Sequence, residues 1–357
     1  MSAAGLAHLI GSVPLATTED VFRRLSAALG PVLSRMPDGE TGERRRWVYW
    51  QRTMLERHPA MEVDTEAGLL ELRQWDGSLL RRTDLLRFRP GVDPDSVQFP
   101  TGYAEAARES WAVFTRLRRE GVVPPGLRFQ VCLPTAMSSA CMYVSPRAHD
   151  DYLRVYERSL LGALDDITGA IPHAELSIQW DICQEVLVFE NYFPSRPTDY
   201  KTRIFALLER LGAAVPADVE LGYHLCYGSP ADQHLVMPTD AGVLAELTRA
   251  IIATVRRPLD FIHLPVPRAR TTTTSGSTSA HCSGPSRTSR RPSPTATSAS
   301  SGTSARRYWC SRTTFRPVPP TTRRGSSPCS SAWAPQCRPT SSSAITSATA
   351  ARPTSTS

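Results

Sequence analysis

Hydrophobic and polar positions follow two periods along the first 270 residues, one near two in short runs and one near 3.6 in longer stretches. The first run, Leu6 to Ile10, is short and apolar and stops at Gly11, Ser12, Val13 and Pro14. A helix is predicted from Thr17 or Thr18, either of which suits an N-cap, with Val21, Phe22, Leu25 and Leu29 on one face. Gly30-Pro31 is its stop. After Val32 and Leu33 comes a polar loop from Pro37 to Glu43. Residues 60–100 hold no steady period and read as an irregular insertion of short strands and turns, Asp76-Gly77 among them. A second helix is expected from about Tyr103 to Glu120, burying Tyr103, Ala107, Trp111, Phe114 and Leu117. Leu127 to Leu133 then reads as a strand ended by Pro134.

The alternation continues. Ser145 caps and Pro146 opens a helix that buries Tyr152, Val155, Tyr156, Leu160 and Leu164. Glu175 to Cys183 is a strand, Thr198 to Leu211 a helix closed by Gly212, and Val219 to Cys226 a strand. Thr239 caps a helix with Val243, Leu244, Leu247, Ile251 and Ile252 inside, and Leu259 to Leu264 is a further strand. Repeated strand–helix units imply parallel strands joined by right-handed crossovers. About six such units precede residue 270, which suits a doubly wound α/β sheet or an incomplete (β/α)8 TIM barrel. Most polar signals fall at strand C-terminal ends, where barrels carry their chemistry.

One strand is chemically distinctive. Leu221, Tyr223, Leu225 and Tyr227 form one face, while Gly222, His224, Cys226 and Gly228 form the other. Imidazole nitrogen and thiolate sulfur are the usual donors for zinc, and small glycines on either side leave room for a ligand. The structural alternative is a packed histidine beside a small apolar filler.

Beyond residue 270 the composition changes completely. Residues 271–357 contain 22 Ser, 18 Thr, 11 Arg and 10 Pro, and no Leu, Lys, Asp, Glu or Asn. Such a segment has too little apolar surface to offset its backbone entropy, so a disordered tail is expected. A frame error in a GC-rich gene accounts for it better than a natural basic tail. Repeated ACG codons for Thr271 to Thr274 read two bases later as GAC, aspartate, and Lys201 is the single lysine of the chain. The tail also sets the charge: it supplies 11 of the 41 basic residues and none of the 34 acids. Residues 1–270 therefore carry 30 basic and 34 acidic groups, net −4. The short clusters Arg44-Arg45-Arg46 and Arg81-Arg82 read as solvated surface, so no nucleic-acid partner is expected. Cys132, Cys141, Cys183 and Cys226 lie in hydrophobic surroundings without disulfide spacing. With no signal-peptide pattern at the start and no apolar run of the roughly 20 residues that span a bilayer, a cytoplasmic protein is expected.

Five short blocks occur in an order and spacing seen together elsewhere: Ile10 to Pro14, Asp38-Gly39-Glu40, Leu133-Pro134-Thr135, Ile178-Gln179-Trp180-Asp181 and His224-Leu225-Cys226-Tyr227. Over residues 6–268 they resemble the C-terminal barrel of cobalamin-independent methionine synthase, itself similar to the uroporphyrinogen decarboxylase barrels. The resemblance implies zinc-dependent transfer of a methyl group from a methyl folate to a thiol such as homocysteine, in the manner of a methyltetrahydropteroyltriglutamate–homocysteine methyltransferase. It matches His224 and Cys226 to zinc ligands, and Ser12, Glu40 and Asp181 to residues that hold the amino-acid part of the thiol. Gln179 shares a strand face with Asp181 and is placed to orient it or the substrate.

There are departures. The family glutamate on the strand after the His-x-Cys strand is missing, and that strand offers His263, a third ligand candidate, with Phe261 on its face. The family's last zinc cysteine falls in the region that the Ser/Thr/Arg tail replaces, and Ile182 stands where an acid follows the family's aspartate. A second, N-terminal barrel like that of full-length enzymes of this class is not expected. Each residue also has a structural reading: Asp181 as a turn cap, Glu40 as a solvated loop acid, Ser12 as a turn residue. Two other functions stay open, a metal-independent decarboxylase or lyase in which Asp181 and arginines grip carboxylates, and a defective, non-catalytic chain.

Overall fold

The computed structural model describes residues 6–193, 197–228, 235–238 and 240–265. The tail assigned to 271–357 and the cap assigned to Thr239 lie outside them. In chain order the elements are α1 (Thr18–Leu29), β1 (Arg35–Pro37), α2 (Tyr49–Arg57), β2 (Met61–Val63), β3 (Leu69–Arg73), β4 (Leu79–Asp84), β5 (Leu86–Phe88) and α3 (Tyr103–Arg119). Then follow β6 (Arg128–Pro134), α4 (Ala136–Tyr143), α5 (His149–Ala170), β7 (Leu176–Ile182), α6 (Gln184–Phe189), α7 (Tyr200–Ala214), β8 (Glu220–Leu225), α8 (Gly242–Thr254) and β9 (Phe261–His263).

Five strands form one parallel sheet in the order β1-β6-β7-β8-β9, each joined to the next through helices. The N-terminal run lies parallel beside it, with Ala7 bridged to Leu33 and Ser12 to Gly39. A flat sheet would hold β1 and β9 about 19 Å apart, four spacings of about 4.8 Å. Instead the Arg35 guanidinium lies 4.5 Å from the Phe261 ring centre, and the His8 and Phe261 rings are 4.4 Å apart. The sheet is therefore curled into a half-barrel.

Strand parity explains the curl's two faces. Phe129, Leu133, Ile178, Trp180, Leu221, Tyr223 and Ile262 are buried on the helix-facing side. There Phe22 of α1 meets Phe114 of α3 and Phe129 edge-on at 5.2 and 6.2 Å. The concave side is polar: Arg35, Gln130, Gln179, Asp181, Glu220, His224 and His263. At its lower end Glu220 pairs with Arg35 at 2.6 Å and Arg128 at 3.1 Å, tying β8 to β1 and β6.

The predicted elements stand with local changes. Thr17 is the N-cap of α1, accepting from the Asp20 amide. Residues 60–100 resolve into two antiparallel pairs, β2 with β5 and β3 with β4, the latter turning at Asp76-Gly77. Gly212 does not stop α7, which continues to Ala214; a Cβ there would stand 2.8 Å from the Tyr223 hydroxyl, so the glycine permits close helix–strand contact. Ile252 faces outward and is exposed, and Trp111 is only partly buried. Helices α2, α4 and α6 and the three-residue β1 are additions. Among the described residues no helix is long and apolar enough to cross a membrane.

Candidate functional site

The first part of the site is a loop pinned beneath the start of the chain. Asp38 is buried and bound by Arg44 at 2.6 Å and by the Ser110 hydroxyl at 2.8 Å, and it accepts from the Glu40 amide at 2.9 Å. Gly39, at φ +82, lies so close to Val21 that a Cβ would come within 2.6 Å of it. These contacts set Glu40 in the left-handed region at φ +50, where a side chain is uncommon outside functional or turn sites. Its carboxylate accepts a short hydrogen bond from the Ser12 hydroxyl. Burial pushes the Glu40 carboxyl up to about 7, the Ser12 hydrogen bond opposes this, and the Asp38 charge adds to the rise.

Gln179, fully buried on β7, ties the next part together. Its amide nitrogen donates to the Ile10 carbonyl at 2.7 Å and to Asp181 Oδ1 at 2.8 Å. Its oxygen faces His8 Nε2 at 3.0 Å and accepts from Gln130 at 3.2 Å. Gln130 also donates to the Leu9 carbonyl. The N-terminal run is thus held by two glutamines, and one of them orients Asp181. Burial raises the Asp181 carboxyl to about 8, against the pull of His224 and with the push of Glu40.

The third part carries sulfur and imidazole. His224 is the register partner of both Asp181 and His263, and His224 Nδ1 lies 2.8 Å from His263 Nδ1. Cys226 accepts from the Gly228 amide at 3.2 Å, and Cys183 Sγ packs against the same glycine. The neighbouring Cys183 thiol and then His224 hold the Cys226 thiol well below its ordinary range despite burial. Burial opposes charge on His224, but Cys226, Asp181 and Glu40 outweigh it and raise that ring. His263 is driven down to about 3 and His8 to about 4, burial being the main cause in both.

The residues singled out in the sequence come together as neighbouring pairs: Ser12 with Glu40, Gln179 with Asp181, and His224 with both Cys226 and His263. All but Gln179, which lies in the middle of β7, are at the C-terminal ends of the parallel strands or in the loops beside them. One expectation is corrected. Gly222 leaves no room for a ligand, because a Cβ there would overlap the Phe261 ring, which already fills that space. Periodicity missed Cys183 and His8; Cys183 lies just past β7, at the N-cap of α6.

The donor chemistry fits zinc, but the spacing is that of hydrogen bonds. Two nitrogens on one tetrahedral zinc stand about 3.3 Å apart, given bonds of about 2.0–2.1 Å. Among the described residues no three His, Cys, Asp or Glu side chains converge as a metal-holding group. Elsewhere, a mainly apolar cavity of about 140 Å³, lined by Met137, Cys141, Leu153, Val188 and Ile204, opens among the helices, with His149, Asp150 and Arg203 also in its lining. No protein-family model matches the sequence, and no match was found among curated proteins.

Proposed function

We propose that the chain is a zinc-dependent methyltransferase-like protein that methylates a small thiol such as homocysteine, with a methyl folate as donor. In this reading the curled sheet and the N-terminal run are six strand positions of a (β/α)8 barrel. One observation carries it. The thiol and imidazoles of Cys226, His224 and His263 share the strand ends with two carboxylates, buried Asp181 and half-buried Glu40. Were zinc bound there, Cys226, His224 and His263 would be its ligands, and it would supply the Lewis acidity that keeps a thiol ionised near neutral pH. Glu40 and Asp181 bind the substrate ammonium. Their hydrogen bonds in the structure come from neutral groups, the Ser12 hydroxyl and the Gln179 amide, which leaves their charge for a cation. An arriving ammonium favours both ionised forms, so binding releases protons near neutral pH. Gln179 keeps Asp181 aimed at the ligand, and Ser12 does the same for Glu40.

A metal-independent decarboxylase needs arginines free to grip carboxylates, yet Arg35 is engaged by Glu220 and Arg44 by Asp38. Small molecules are the expected partners, with neither nucleic acid nor membrane involved, and a reducing cytoplasm suits a zinc–thiolate site. The test is zinc analysis of the purified chain together with methyl transfer from a methyl folate to homocysteine. Bound zinc that is lost in Cys226→Ser and His224→Ala supports the reading. A zinc-free protein that decarboxylates an acid substrate overturns it.

A further inference from the structure

Helix α4 turns one apolar stripe onto the cavity among the helices. Met137, Ala140, Cys141 and Val144 recur at i, i+3, i+4 and i+7, so they share a face, and all four line that space of about 140 Å³. Leu153 of α5, Val188 of α6 and Ile204 of α7 line it from the other sides. Ala140, Cys141 and Val144 have short side chains, so the space between the helices is left open. Protein interiors otherwise hold few voids larger than a water molecule. Ala140, Val188 and Ile204 are buried at the floor of the cavity, while Asp150 and Arg203 are exposed at its mouth.

The polar groups of the lining already have partners. Arg203 donates to Asp150 at 2.7 Å and to Asp199 at 3.0 Å, and His149 Nε2 lies 3.0 Å from the Val144 carbonyl oxygen. Burial lowers the His149 pKa and keeps that ring neutral. It also raises the Cys141 thiol, so this sulfur acts as a small hydrophobe. A carboxylate or an ammonium entering here loses its water and meets no unpaired opposite charge, which disfavours it. Apolar walls suit an apolar guest instead, and a cavity of about 150 Å³ with such walls takes up benzene. We propose that this cavity is a binding site for a small uncharged apolar molecule, one aromatic ring or a branched alkyl group of similar size. The site is separate from the strand ends: none of Ser12, Glu40, Asp181, His224, Cys226 and His263 lines it.

The test titrates the full chain with toluene by calorimetry and follows its thermal unfolding. Binding should saturate, and the melting temperature should rise with toluene concentration, because a ligand of the native state alone stabilises it. Benzoate, which carries a charge on a ring of the same size, should bind about 10-fold or more weakly. Ala140→Leu fills the cavity and should abolish toluene binding. A photoreactive phenyl diazirine should label Met137, Cys141 or Leu153, as mapped by mass spectrometry, and excess toluene should suppress that labelling. The labelling uses the unaltered chain, so a folding defect in Ala140→Leu leaves the inference testable. Toluene binding that does not saturate overturns the site, and so does labelling that toluene leaves unchanged or that falls only elsewhere. Undiminished toluene binding by a folded Ala140→Leu protein also overturns it. Benzoate binding as tightly as toluene overturns the assignment of an uncharged ligand.

Discussion

Glu40 is held in a left-handed backbone conformation, with one hydroxyl as hydrogen-bond donor and a carboxyl raised to about 7 from an ordinary 4.5. An acid whose pKa rises on folding binds its proton more tightly in the native state. Its contribution to stability is therefore complete below about pH 4.5 and is lost as pH rises through 7. Ligand-free protein should melt at a lower temperature at pH 8 than at pH 6. Glu40→Gln should narrow that gap, and scanning calorimetry at the two pH values decides it; an unchanged gap would show that Glu40 is not the group being titrated. On the proposed function, the same environment sets ligand binding. Glu40→Gln and Asp181→Asn should each weaken the thiol amino acid's binding by about 2–4 kcal/mol, some 30- to 1,000-fold, with folding intact. Titration calorimetry on the zinc-loaded protein measures this, and wild-type affinity in both variants would remove the ammonium-binding role.

At the scale of elements, β8 shows what periodicity can and cannot carry. Its two faces were legible because Leu221, Tyr223 and Leu225 alternate strictly with Gly222 and His224, and all three are buried under helices. The use of Gly222 was not legible, since its neighbour Phe261 lies 39 positions along the chain on another strand. Gly222→Ala should therefore cost about 1–3 kcal/mol by overpacking, seen as a lower midpoint in urea. Adding Phe261→Leu should return part of the loss, and a neutral Gly222→Ala would show the ring to be easily moved. Helices α4 and α6 escaped notice for a different reason. Nearly every residue of α4, and every residue of α6, is buried, so neither shows a polar stripe against which a 3.6 period could be read. Strand β1 has only three residues and carries Arg35 and Pro37 on its concave face, so it looked like loop. Among site residues, Ser12, Glu40, Gln179, Asp181, His224, Cys226 and His263 stood out by type and position. Cys183, packed against Gly228, and His8, beside Gln179, make contacts that only the fold creates.

In the molecule as a whole, the lower end of the half-barrel depends on one carboxylate. Glu220 answers both Arg35 and Arg128 and is only about a fifth exposed. Glu220→Gln leaves two guanidinium groups facing each other and should cost about 1–3 kcal/mol, less than the 3–5 expected for a fully buried pair because solvent reaches it. Chemical denaturation checks this, and the loss should shrink in Arg128→Gln/Glu220→Gln. The composition break at residue 270 makes a separate prediction about the gene. Translating the encoding DNA two bases later from that point should yield an open frame with Asp, Leu and alternating strand–helix periods. Early stop codons in that frame would show the Ser/Thr/Arg segment to be the true product.

The contact of His8 with Phe261 also sets a schedule. Its partners lie about 250 residues apart, so at roughly 5–20 residues per second the ribosome takes about 13–50 s to supply the second after the first. The N-terminal run meets its neighbours across the curl only at the end of that interval. Closing so long a loop carries a high entropic cost and slows folding. Ser12 and Glu40 are thus made long before His224 and His263, so the two halves of the candidate site come together only after most of the described fold has been synthesised.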